Sequence, residues 1–108
     1  MRKFPCPYLK SDVELTEERE RHITERHPDL LPAYREKMIE TLAQPEQIRR
    51  SKRFGNAILF SRWYNDVKKG KYVVVLVVSE PDATSRHWII TAYLTQRLVE
   101  GEVEWKRN

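Results

Sequence analysis

Two of the chain's three histidines, His22 and His27, flank Arg26 within six residues. On a helix His22 and Arg26 share a face, Arg19 lies one turn earlier, and His27 falls about a third of a turn further round. Imidazole titrates near neutrality and can exchange protons with a reacting group. Guanidinium stays charged and forks onto phosphate oxygens. Those are the groups that cutting RNA without a metal requires. The ribose 2′-OH attacks its own phosphate, a base removes its proton, an acid protonates the leaving 5′-oxygen, and a cation stabilises the phosphorane. For an arbitrary chain the commoner reading is a solvated, ion-paired helix surface, because Glu17, Glu18, Glu20 and Glu25 surround the pair.

A second group lies near the C-terminus. Period-two alternation over residues 87–95 puts His87, Ile89, Thr91 and Tyr93 on one side, and Trp88, Ile90, Ala92 and Leu94 on the other. Phe60, Arg62 and Tyr64 alternate likewise with Leu59, Ser61 and Trp63. If the aliphatic rows face the core, Arg62, Thr91 and Tyr93 look out together from the uncovered face of a sheet. Each has an ordinary explanation alone, since Thr and Tyr favour strands. Their convergence is what carries information.

The elements that position these residues follow from the pattern. Residues 1–11 hold two prolines and little periodicity, which suggests a flexible N-terminal arm, or one that packs on a sheet edge, ahead of a single domain over 12–108. Asp12 to Leu15 reads as a short extended piece. Thr16 suits an N-cap, and Pro28 ends the helix it starts near His27. Leu31, Tyr34, Met38 and Leu42 recur at helical spacing, giving a second helix over 32–44. After Pro45 strands are expected at 47–53, 57–64, 71–79 and 87–95, with a turn at Gly55-Asn56 and another through Pro81-Asp82. Val103 to Trp105 adds a short edge. Residues 71–79 are apolar on both sides, which marks a central strand. The sum is an α+β domain with two N-terminal helices on one face of a four- to five-stranded antiparallel sheet. Val73, Val75 and Val77, with Trp88, Ile90, Leu94, Met38 and Leu42, are its expected core.

The formal net charge is +4, but it is uneven. Residues 47–79 carry Arg49, Arg50, Lys52, Arg53, Arg62, Lys68, Lys69 and Lys71 against Asp66 alone. That is either a solvated hairpin surface or an electrostatic footprint for phosphates, with RNA as the partner. The one cysteine, Cys6, excludes an internal disulfide, and no apolar run approaches a membrane span. With no signal-peptide pattern at the N-terminus, a cytoplasmic location is expected.

The stretch His22-Ile23-x-x-Arg26-His27-Pro28-Asp29, followed by a helix ending before Pro45, a valine-rich strand and Ile90-Thr91-Ala92-Tyr93, resembles a family of small phage- and toxin-associated nucleases. These share the barnase/EndoU/colicin/RelE-like (BECR) fold, and the similarity covers about residues 12–105. The resemblance implies metal-independent endoribonuclease activity on an open sheet face, no cofactor, RNA (transfer or messenger) as substrate, and an inhibitor protein as a further candidate partner. On the chemistry above, His22 or His27 would serve as general acid/base, and Arg26 and Arg62 would hold the phosphate. Thr91 and Tyr93 would orient it or share in proton transfer. His87 is either a further member or a strand-edge residue. Arg49, Arg50, Lys52, Arg53, Lys68, Lys69 and Lys71 would contact the RNA backbone. A zinc site from His22, His27, His87 and Cys6 is disfavoured, because i,i+5 splays the helical pair and Cys6 lies in an unpatterned arm. The principal alternative is a non-catalytic RNA- or protein-binding module that uses Trp63, Tyr64 and Tyr93 as stacking platforms.

Overall fold

The N-terminal stretch, expected to be a flexible lead or an edge-packing arm, forms an edge strand of the sheet. The computed structural model describes residues 2–53, 55–80 and 86–108, so the turn expected through Pro81-Asp82 lies outside the described residues. Strand β1 (Arg2–Cys6) pairs antiparallel with β2 (Ser11–Leu15) across a single 3-10 turn at Pro7–Leu9. Helices α1 (Glu17–Arg26) and α2 (Arg35–Ala43) follow, then β3 (Gln47–Arg50), β4 (Ala57–Tyr64), β5 (Lys71–Ser79), β6 (His87–Thr95) and β7 (Glu102–Lys106). The strand order is β1-β2-β6-β5-β4-β3-β7.

This corrects the expected four- to five-stranded antiparallel sheet of BECR type. The sheet has seven strands and is mixed, since β2 runs parallel to β6 at Glu14–Trp88. Phe4 and Cys6 are buried and alternate with exposed residues, which is a strand signature. Pro5 obscured it in the sequence, but at a sheet edge a missing N–H costs little. The β3–β4–β5–β6 meander is antiparallel and β5 occupies the centre, as its double-sided apolar pattern indicates.

One register shift governs the faces. Val77 pairs with Ile89 and Leu76 with Thr91, so Ile90 is an unmatched extra residue. Such a bulge reverses the phase of alternation. His87 and Ile89 therefore lie on the same side as Ala92 and Leu94, opposite Thr91 and Tyr93. Ile89 is fully buried, whereas Trp88 and Ile90, both expected in the core, are only half-buried. Val73, Val75, Val77, Met38 and Leu42 are core residues as expected, joined by Phe60, Ile23, Leu30 and Leu31.

Both helices pack on this concave side. Thr16 caps α1 by accepting a hydrogen bond from the Arg19 amide at 3.1 Å, and Ile23 is its one buried side chain. Helix α2 starts three residues later than expected, because Leu30 and Leu31 first turn into the core. The sheet curls until the β1–β2 connection meets β7. The Tyr8 ring lies 6.1 Å from both Phe60 and Trp105, and its hydroxyl donates to Glu104 at 2.8 Å. Among the described residues no helix is long and apolar enough to cross a membrane.

The bulge makes a sharp prediction. Ile89→Ala should cost about 2–5 kcal/mol of folding stability, as fully buried isoleucines do. Ile90→Ala should cost much less. Urea denaturation of the two variants measures the difference, and equal losses would contradict the assigned phase.

Candidate functional site

The outer face of the sheet is built in rows fixed by strand register. Trp63, Tyr72 and Thr95 form one row, Ser61, Val74 and Tyr93 the next, and Leu59, Leu76 and Thr91 the third. This face is not as open as expected. The chain from β6 to β7 must pass three strands, and residues 96–101 do so across it. Leu98, Val99 and Glu100 close over Leu59, Val74 and Tyr93, with only about 10 Å3 left between them. Leu59, Ser61 and Val74 are buried as a result. Gly101 (φ +78°) lets the segment land on β3, where a Cβ would sit 2.6 Å from the Arg50 carbonyl oxygen.

At the edge of this roof His27 meets Tyr93. His27 is the C-cap of α1, and α1 lies alongside β6. The two rings are 6.0 Å apart between centroids and tilted by 41°. The Tyr93 hydroxyl donates to Glu100 Oε2 at 3.4 Å. Burial first, and then the Glu100 carboxylate, push its phenol up to about 12. Tyr93 is thus a proton donor at neutral pH. Thr91 lies two residues earlier on the same face. A cleft of about 590 Å3 is lined by neither ring but by their sequence neighbours Asp29, Leu94 and Thr95, together with Lys71, Gln96 and Arg97. It adjoins the pair through Asp29, two residues past His27, and Thr95, the outer-face neighbour of Tyr93. Among the described residues neither Lys71 nor Arg97 forms an ion pair.

The other expected site residues lie elsewhere. His22 sits in a shallow groove made by α1 alone, with Glu18, Arg19, Arg21 and Glu25. Arg26 is exposed in the last turn of α1, where a cation suits the helix dipole. Arg62 is on the opposite face from Thr91 and Tyr93. It pairs across β5 with Val73, donates to the Gln44 carbonyl at 2.8 Å, and approaches Glu40 at 3.9 Å. The expected convergence fails because Phe60, fully buried, takes its whole row inward, and Arg62 belongs to that row. His87 is buried on the core side at the far end of β6, its Nδ1 2.6 Å from the Ser79 hydroxyl.

The basic stretch also divides. Arg50 pairs with Glu104 at 2.8 Å and Lys52 with Glu102 at 3.4 Å, so acids of β7 offset those charges. Arg49 donates to Gln47 and to the Glu100 carbonyl, tying β3 to the crossing segment. The Arg53 amide donates to Ser51 Oγ in the turn after β3. Lys68, Lys69 and Lys71 instead surround the β4–β5 turn without an ion pair among the described residues. Lys68 (φ +44°) and Lys69 (φ +66°) occupy the left-handed region, which costs non-glycine residues roughly 1–2 kcal/mol each.

Reasoning from residue types missed Glu100, Arg97 and the Trp63–Tyr72 contact. Glu100 and Arg97 lie in a segment with no pattern of its own. Their signal was topological, because a short link between distant strands has to cross the face. Among the described residues no group of three or more His, Cys, Asp or Glu is arranged to hold a metal ion. Comparison with protein-family models, with curated proteins and with solved structures returns no match.

The Tyr93–Glu100 contact is open to titration. A phenol whose pKa is raised on folding contributes stability that is complete below about pH 10 and lost as pH rises towards about 12. Glu100→Gln removes the charge and should bring one phenol to lower pH in an ultraviolet alkaline titration. Tyr64, also held at about 12 chiefly by burial, should stay put. A curve unchanged by Glu100→Gln would show that the contact is not made.

Proposed function

We propose that the protein cleaves RNA without a metal ion, using the His27–Tyr93 pair together with the nearby Lys71–Arg97 cleft. The observation that carries this reading is the packing of His27 on Tyr93, near a cleft whose two cations form no ion pair among the described residues. The resemblance to small nucleases adds support, since His27 and Tyr93 belong to its two end motifs. His22 and Arg26 of the first motif, and Arg62, which was expected on chemical grounds, have no role in the reading.

The chemistry balances with the groups present. His27 accepts the 2′-OH proton as the 2′-oxygen forms its bond to phosphorus. Tyr93, protonated at neutral pH, donates to the 5′-oxygen as the P–O5′ bond breaks. Lys71 and Arg97 stabilise the charge that builds on the phosphorane oxygens. The imidazolium then returns its proton to the neighbouring phenolate, and the product ends in a 2′,3′-cyclic phosphate. A non-catalytic RNA-binding module is the second reading, favoured by the exposed Trp63 ring against Tyr72.

The test is incubation of pure protein with total and transfer RNA in EDTA, followed by analysis of product ends. Cleavage should persist, leave cyclic phosphates and vanish on 2′-deoxy substitution at the cut position. His27→Ala should lower the rate roughly 10²–10⁴-fold, and His22→Ala far less. Binding without cutting across several RNAs would select the binding module. Cutting lost in EDTA and restored by zinc would overturn the metal-free mechanism.

A further inference from the structure

Trp63 is an exposed apolar side chain whose ring is nevertheless fixed on the outer face of the sheet. It is 36% exposed, yet its indole N–H donates to Asn65 Oδ1 at 2.7 Å. Its ring meets Tyr72 edge-on with centroids 4.9 Å apart. The Gly70 backbone fits so closely against it that a Cβ there would lie 2.7 Å from Cζ2. An indole braced in this way and left in solvent is a preformed stacking surface, with its ordering cost met on folding.

The surrounding charge suits one class of ligand. The turn holds one acid, Asp66, and Lys37 of α2 engages it at 3.2 Å. Lys68 and Lys69 of the same turn form no ion pair among the described residues, nor does Lys71, whose register opposite Tyr64 puts it on the other side of β5 from Tyr72. Lys68 and Lys69 occupy left-handed positions where glycine or asparagine would be easier to accommodate. A turn selected only for its shape would use those residues, so two exposed lysines point to a requirement for cations. Trp63, Tyr72 and Thr95 are row neighbours, so the ring is about 10 Å, two strand spacings, from the cleft that Lys71 and Thr95 help to line.

We propose that Trp63, braced by Tyr72 and Gly70 and followed in its turn by Lys68 and Lys69, is a base-stacking subsite for single-stranded RNA. It takes an unpaired nucleobase next to the phosphate in the Lys71–Arg97 cleft. The proposal shares with the ribonuclease reading only the premise that RNA occupies this face. Aromatic stacking tolerates any base, and duplex RNA, whose bases are already stacked, is excluded.

The experiment measures binding of fluorescein-labelled 2′-O-methyl hexauridine, which cannot be cut by 2′-OH attack, by anisotropy against salt. Trp63→Ala should weaken binding roughly 5–150-fold, the range for loss of one stacked base, while Trp63→Phe retains most of the affinity. Replacing Lys68 and Lys69 by Gln should reduce the slope of log affinity against log salt by about 1.4, for two phosphates released from a single strand. A hexamer with one abasic position, scanned along its length against wild-type protein, should show a matching loss at one position without any change to the fold. Unchanged affinity in both Trp63 variants, a flat abasic scan, equal affinity for duplex, or no binding of the hexamer by wild type would each overturn the subsite. Binding that depends on Trp63, in a protein that cuts no RNA, upholds the subsite and removes the ribonuclease reading. Cutting that ignores Trp63 does the reverse.

Discussion

Because Ile90 has no partner on β5, the side chains of β6 change sides halfway along the strand. Before the bulge the inward row is His87 and Ile89, and after it Ala92 and Leu94. Without the extra residue, burying Ile89 would also bury Thr91 and Tyr93, and the outer face would lose its polar row. With it, β6 seals the core at both ends and still presents Tyr93 outward. Bulges re-aim side chains in this way next to functional positions. The contact with His27 and the cleft beside it both depend on that change of phase.

A second constraint fixes where α1 can lie. Glu14 of β2 accepts two hydrogen bonds from the Arg86 guanidinium, at 3.0 and 3.2 Å, beside the single parallel pairing of β2 with β6. Arg86 also stacks over Trp88, two residues on. The same guanidinium holds the Glu14 carboxyl below its usual range. The chain leaves β2 at Leu15 and turns at once into α1, which lies against β6. There the helix needs only Ile23 in the core, which accounts for its polar composition. Its C-terminal end is thereby brought to Tyr93. Glu20 joins it to α2 through an ion pair with Arg35.

Much of this was legible in the sequence, and the failures have particular causes. Double-sided apolarity made β5 central, Thr16 and Pro28 bounded α1, and period two after Pro45 gave the meander. Strand β1 was hidden by Pro5, although Phe4 and Cys6 alternate as strand residues do. The facing of β4 turned on whether the Phe60 row or the Leu59 row went inward. Composition alone could not choose, because both rows hold apolar residues. That choice removed Arg62 from the outer face. A bulge leaves no mark in a run such as Trp88-Ile89-Ile90, where every residue is apolar, so alternation alone puts His87 and Ile89 on the wrong side. Residue type singles out His27 and Tyr93, but their meeting required the path of α1.

The crossing at residues 96–101 also bears on how the chain assembles. Strand β7 lies beside β3, more than fifty residues earlier in sequence, with Ile48 opposite Trp105. Pairings between such distant segments form late and slow the folding of sheet proteins. Until β7 arrives, β3 is a bare sheet edge, and the outer side of Leu59 and Val74 has no cover. An unpaired edge next to exposed aliphatic side chains is a template for association with another copy. Arg49, Arg50 and Lys52 stand along or just beyond that edge, and until the acids of β7 reach them their like charges repel an incoming copy. The basic run at 49–53 thus has a use in the half-folded chain that the finished structure conceals.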